Sequence, residues 1–244
     1  MSALGLVLSL FPGADLLGQA FEEQGWCVVR GPDALWGGDV RGFHAARGRF
    51  DGVIGGPPCQ FASLARHGAK KEAVNLIPEY LRIVDEAGPT WAVMENVRQV
   101  SRKGCAPPWP WTDLRDADCG GLTNRVRRFW FHGIPPPLVG RPMPNPRSLG
   151  GALHSVLATD WHGRTLPDGQ YVRMSAEEAA RRQGYPELAQ RIMAAQPGEV
   201  PPGARRVLAI HMLGNGVPRA MGLYLARHVR QCVEGSPDRR AERA

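Results

Sequence analysis

Lysine is almost missing from this chain of 244 residues: Lys70, Lys71 and Lys103 are its only three, although Lys and Arg together number 30. The net charge of +7 at pH 7 therefore rests almost wholly on arginine. Arginine forks onto phosphate oxygens and guanine edges. A basic surface also suits a polyanion, because phosphate contacts release counterions. A GC-rich genome would produce the same bias, so composition alone does not decide. Long apolar runs are missing too. No stretch is long enough to span a bilayer. The apolar opening, Met1 to Phe11, lacks a basic start and runs into a glycine turn, which marks a strand rather than a signal peptide. Paired cysteines are also absent. Cys27, Cys59, Cys105, Cys119 and Cys232 are scattered and odd in number, with no Cys-x-x-Cys. That pattern argues against a disulfide framework and a zinc site and fits a reducing cytoplasm. The seven histidines show no ligand spacing. We expect a cytoplasmic protein with no membrane partner and no metal.

What is present reads as α/β. Leu4 to Phe11, Trp26 to Val29, Phe50 to Gly55, Trp91 to Met94 and Arg128 to His132 are short apolar runs of strand length. Leu16 to Gln24 and Ala73 to Ala87 have helical spacing, the first with Leu16, Leu17, Ala20 and Phe21 on one face. Strands alternating with helices predict a mostly parallel, Rossmann-like sheet with helices on both faces. Ser175 to Gln183 reads as a helix with Ser175 as N-cap and Glu178 three residues on. Val207 to Val233 is helical, broken at Gly214-Asn215-Gly216. The proline-rich Pro135 to Pro146 marks a boundary. We expect one domain from 1–134 and 204–235, a small region at 135–203, and a polar tail at 236–244.

Three residue groups follow predicted strands, at the sheet edge where open α/β folds bind ligands. Gly55-Gly56-Pro57-Pro58-Cys59-Gln60 presents a thiol on a stiff turn, a possible nucleophile. A lone cysteine in a turn is more often a small buried residue. Glu95 closes the next strand, where a carboxyl against an apolar wall can act as an acid. In Thr123 to Phe129, alternation on a strand would point Arg125 and Arg127 the same way.

Taken together and in order, these motifs resemble the cytosine-5 DNA methyltransferase family along nearly the whole chain. LSLFPG (Leu8 to Gly13) is similar to its cofactor turn and Gly38-Asp39-Val40 to its third motif. GGPPCQ followed by Ser63 resembles the nucleophile loop, and Glu95-Asn96-Val97 the sixth motif. Thr123 to Arg127, Arg182 to Pro186 and Gly214 to Pro218 resemble the eighth, ninth and tenth. The turn departs from the family's Gly-x-Gly-Gly, with Asp15 and Leu16 in place of the later glycines. Thr123 stands for the usual glutamine.

The resemblance implies S-adenosyl-L-methionine as methyl donor, with Phe11, Gly13, Asp33, Asp39, Pro57, Asn215 and Val217 around it. It implies Cys59 as nucleophile at C6 of cytosine, Glu95 at N3, and Arg125 and Arg127 at the base carbonyl or a nearby phosphate. The target base would be flipped out of double-stranded DNA. Gln60, Ser63, Arg66, Arg164 and Arg173 are the expected DNA contacts of a monomeric enzyme. The alternative is an RNA (tRNA) cytosine-5 methyltransferase on the same fold. A non-catalytic binder and a nucleotide-dependent oxidoreductase are weaker readings, since the catalytic set occurs together and no Gly-x-Gly-x-x-Gly turn is present. A restriction system and a lone phage or prophage enzyme both stay open.

Overall fold

The computed structural model describes residues 4–58, 74–102, 104–138, 153–158, 160, 162–165, 169–195 and 201–235. The chain divides into two compact units. The first comprises residues 1–114, 126–140 and 222–244; the second comprises 115–125 and 141–221.

The first unit is built on a six-stranded sheet. Its strands are β1 (Leu6–Leu10), β2 (Cys27–Arg30), β3 (Gly52–Gly55), β4 (Trp91–Asn96), β5 (Trp111–Arg115) and β6 (Val126–His132), in the order β2-β1-β3-β4-β6-β5. The pairs β1–β2, β1–β3 and β3–β4 are parallel, and β6 runs antiparallel to β4. The sheet is therefore mixed, its parallel part formed by β2, β1, β3 and β4. The sequence left β5 unread, because Pro107, Pro108 and Pro110 around it obscure the strand pattern.

Helices cover both faces, as alternation along the strands requires. Leu8 and Leu10 of β1, Ala92 and Met94 of β4 and Trp130 of β6 share a core with Tyr80, Ile83 and Val84 of α2 (Ile77–Ala87) and Val100 of α3 (Gln99–Arg102). The opposite face carries α1 (Leu16–Glu23), whose Phe21 stacks on Trp91 at 5.8 Å between ring centroids. Trp26 meets the same ring edge-on at 5.2 Å. Gly52 lies under Trp91 so closely that any β-carbon there would collide with the indole. The last helix, α7 (Arg219–Glu234), brings Gly222 against Ala20 of α1 and His228 against Phe131 of β6.

The second unit holds a short hairpin and three further helices. The hairpin is β7 (Arg164–Thr165) with β8 (Tyr171–Val172), antiparallel. The helices are α4 (Ala176–Arg182), α5 (Leu188–Ala195) and α6 (Pro202–Asn215). Ser175 caps α4 as its sequence suggests, its hydroxyl accepting from the Glu178 amide at 3.1 Å. The long helical stretch near the end is two helices, α6 and α7, parted at Gly216-Val217-Pro218. Residues 204–221, grouped with the catalytic part by sequence, belong to the second unit.

Candidate active site

The carboxyl ends of three adjacent parallel strands, β1, β3 and β4, bring together the turn at Phe11–Asp15, the Gly56-Pro57-Pro58 lead and the Glu95-Asn96 pair. All belong to the first unit.

Glu95 is buried at the end of β4 and forms an ion pair with Arg127 of β6, Nε to Oε1 at 2.8 Å. The antiparallel register, with Glu95 opposite Phe129, sets this pairing by placing Arg127 just beyond it on the same face. A β-carbon on Gly56 would stand 2.8 Å from Glu95 Oε2, so only glycine lets the β3 turn pass so near the carboxylate. The next residue, Asn96, is 2 % exposed. Its Nδ2 donates to the Pro57 carbonyl at 2.9 Å, while its Oδ1 accepts from the Val97 amide at 2.8 Å. One buried amide therefore ties the Pro57-Pro58 lead to the strand that carries Glu95. The sequence names Asn96 within the Glu95-Asn96-Val97 motif but gives it no role, because an amide shows no reactive chemistry of its own.

Arg125 and Arg127 have different partners, each within its own unit. The strand begins at Val126, so alternation does not extend back to Arg125. Arg125 is 2 % exposed in the second unit, where its guanidinium donates to the carbonyls of Val156 and Gly214, each at 2.6 Å. It acts there as a buried strut. Arg128 is held by Asp113 at 2.7 Å and by Ser101 at 2.9 Å, and its guanidinium lies 3.5 Å from the Trp111 ring centroid.

The turn after β1 is unusual in its backbone. Phe11, Gly13 and Asp15 all have positive φ, of 55°, 55° and 51°. Such values favour glycine and cost other residues free energy. Asp33 steadies the turn, its Oδ2 accepting from the Gly13 amide at 2.8 Å and its Oδ1 from Leu35 N at 2.8 Å. Trp36, half-exposed, donates its indole N–H to the Gly13 carbonyl at 3.0 Å. Asp39 is exposed, caps its own short turn and pairs with Arg41 at 2.8 Å, which holds its carboxyl below the ordinary range. Asp15 is buried between Ser9, Gly18 and Arg30, and burial pushes its carboxyl up to about 6.

The remaining expected residues fall elsewhere. Cys59, Gln60, Ser63 and Arg66 lie outside the described residues, as does the side chain of Arg164. Arg173 is exposed in the second unit. Asn215 and Val217 also lie in that unit; Val217 is buried, and the Asn215 amide meets His211 Nε2 at 3.1 Å. Burial lowers the His211 imidazole below its usual value, consistent with a neutral ring that accepts from Asn215. Among the described residues, no group of three or more His, Cys, Asp or Glu is arranged to hold a metal, and no helix is long and apolar enough to cross a membrane.

Comparison with known proteins bears on the same strands. Residues 37–104, running from the turn before β3 past Glu95, match the model of the C-5 cytosine-specific DNA methylase family. A stretch of 51 residues is 54% identical to the Type II methyltransferase M.AquIA of Picosynechococcus sp.; it is 20% of this chain and 21% of that protein. The chain thus spans about a fifth of the curated relative it matches. The fold is similar to that of the S. pombe Dnmt2 methyltransferase, with a TM-score of 0.58, 12% identity, and coverage of 95% of this chain and 99% of that one. It is also similar to a putative DNA modification methyltransferase encoded within an E. coli prophage, with a TM-score of 0.53, 15% identity, and coverage of 94% and 99%. At these identities the two structures speak to fold alone.

Proposed function

We propose that this chain, which belongs through residues 37–104 to the C-5 cytosine-specific DNA methylase family, methylates C5 of cytosine in double-stranded DNA through a covalent Cys59 adduct. The observation that carries the reading is the Glu95–Arg127 pair beside Gly56, with Asn96 fastening Pro57 to the same strand end. These contacts supply an acidic group, its countercharge and a fixed approach for the segment that leads into Cys59.

S-adenosyl-L-methionine, when bound, supplies an electrophilic methyl group. The turn's surroundings fit its nucleoside. Asp33 is a carboxylate with further acceptor capacity for ribose hydroxyls, and Trp36 offers a half-exposed indole beside Gly13 for an adenine ring. The chain's own residues do the rest. The Cys59 thiolate adds to C6 of cytosine, and the electron pair of the C5–C6 bond moves to C5, making that carbon nucleophilic. Glu95 holds or protonates N3 as the ring gains electron density. Arg127, fixed against Glu95, balances the carboxylate and offers its other N–H donors to the base or a phosphate. After C5 gains the methyl, a base removes the C5 proton, the double bond re-forms and Cys59 leaves. The target must first leave the duplex stack.

Duplex DNA carrying 5-fluorocytosine tests the reading, since fluorine at C5 blocks the final elimination. With S-adenosyl-L-methionine present, the chain should form a denaturation-resistant adduct, and Cys59→Ala should form none. An adduct retained by Cys59→Ala would remove Cys59 as nucleophile. Methyl transfer to tRNA but not to duplex DNA would establish the RNA alternative instead.

A further inference from the structure

Asp15 stands where backbone geometry favours glycine, yet it is buried and contacts three elements. Its φ of 51° and ψ of 43° are left-handed. Its Oδ1 accepts from the Ser9 hydroxyl at 2.8 Å and from the Gly18 amide at 3.2 Å. Its Oδ2 pairs with Arg30 Nε at 2.8 Å. One carboxylate therefore joins the end of β1, the start of α1 and the end of β2. Those three places frame the turn that Asp33 and Trp36 hold from the other side through Gly13.

The charged groups around it are few. Arg30 is its partner from β2, and Glu22 of α1 binds the far side of the same guanidinium at 2.9 Å. Ser9 is the polar group that β1 contributes. Asp15 is 5 % exposed, whereas the Arg30 side chain is 46 % exposed. A proton on Asp15 cancels the attraction to Arg30, which then has open solvent to move into. It also weakens acceptance from Ser9 and from the α1 amide, since charged acceptors make the stronger bonds.

We propose that Asp15 is a positioning residue for the cofactor turn, and that its ionised form, braced by Ser9, Gly18 and Arg30, is the form that binds S-adenosyl-L-methionine tightly. The inference rests on the cofactor reading above and adds to it a pH dependence from a residue that touches no reacting atom. The group titrates close to neutrality, its carboxyl being raised to about 6, so the brace loosens in mild acid rather than near pH 4.

Calorimetric titration of the full chain with S-adenosylhomocysteine between pH 5 and pH 8 tests this without turnover. The unsubstituted protein should bind about tenfold more weakly at pH 5 than at pH 7.5, the equivalent of one charge-assisted hydrogen bond. Asp15→Asn, which is neutral throughout, should bind weakly at every pH with a flat profile. Arg30→Gln keeps the carboxyl but removes its partner, and should move the midpoint to higher pH. Circular dichroism at each pH identifies any variant that has lost its fold. Should Asp15→Asn fail to fold, the midpoint shift in Arg30→Gln still decides the matter. Tight binding by the unsubstituted protein with no pH dependence, or an unmoved midpoint in Arg30→Gln, overturns the inference alone. Failure to bind S-adenosylhomocysteine at any pH overturns the cofactor reading as well.

Discussion

Asp15 carries a charge that its surroundings only partly compensate. Its folded value of about 6 exceeds the 3.8 ordinary for an aspartate, so the folded chain binds a proton more readily than the unfolded chain does. Stability then rises as pH falls through 6 towards 4, and the full cost of the buried charge, about 3 kcal/mol, is present above pH 6. Glu178 works in the opposite sense. Arg181, bonded to it most strongly, and Arg182 hold its carboxyl down at about 2, so its contribution is present above 4.5 and is lost as pH falls through 2. Urea titrations from pH 5 to pH 8 should show the unsubstituted protein gaining stability relative to Asp15→Asn as the buffer is acidified. Parallel curves for the two proteins would mean that Asp15 does not titrate in this window. Most of this residue-level chemistry was hidden in the sequence. An aspartate two residues after Pro12-Gly13 reads as a departure from a glycine motif, and nothing local reveals that Ser9 and Arg30 converge on it. Arg125 misled for a related reason: its spacing from Arg127 is that of a strand, but the strand starts one residue later.

At the scale of elements, the aromatic layer between α1 and the sheet depends on one residue without a side chain. Gly52 admits the Trp91 indole against the β3 backbone, and Phe21 and Trp26 pack on that ring, the first stacked and the second edge-on. Gly52→Val should force Trp91 out of this stack and destabilise the chain by roughly 3 kcal/mol or more, as overpacking and lost aromatic contacts combine. Denaturant unfolding followed by tryptophan fluorescence measures both effects. An unchanged midpoint would show that the layer can open without cost. Elements with a clean period were legible. β1, α1, β2, β3, α2, β4 and β6 all appear close to their expected positions, and all but β2, where Val28 alone is buried, bury an apolar face that the sequence displays. The elements that were missed lack such a face or carry prolines. β5 is a partly exposed strand preceded by Pro108-Trp109-Pro110, and α5 is only 8 residues long and follows Pro186, with Leu188, Ala189 and Ile192 as its buried contacts. The antiparallel direction of β6 was equally hidden, since periodicity says which residues face inward and nothing about strand direction.

At the scale of the whole molecule, part of the arginine content is engaged internally, although the net charge of +7 is left as it is by such pairing. Arg82, Arg115, Arg128 and Arg182 are each tied to carboxylates within their own unit. Much of the guanidinium content is therefore structural, and a polyanion would meet the remainder. The way the chain is threaded has a different consequence. The first unit is assembled from three separated stretches, and its closing helix α7 arrives only with residues 219–234. The face of α1 that receives Gly222 has no cover until then. During synthesis, the sheet must wait with apolar surface open while the second unit is still being made, a state exposed to chaperones and to aggregation. A fragment that stops before Gly222 should bind a hydrophobic dye and melt without a sharp transition, whereas the full chain should do neither; a cooperatively melting, dye-silent fragment would show that assembly does not depend on the returning helix. Ribosome transit, rather than the chemistry of the site, would then set how much of this protein reaches its folded form.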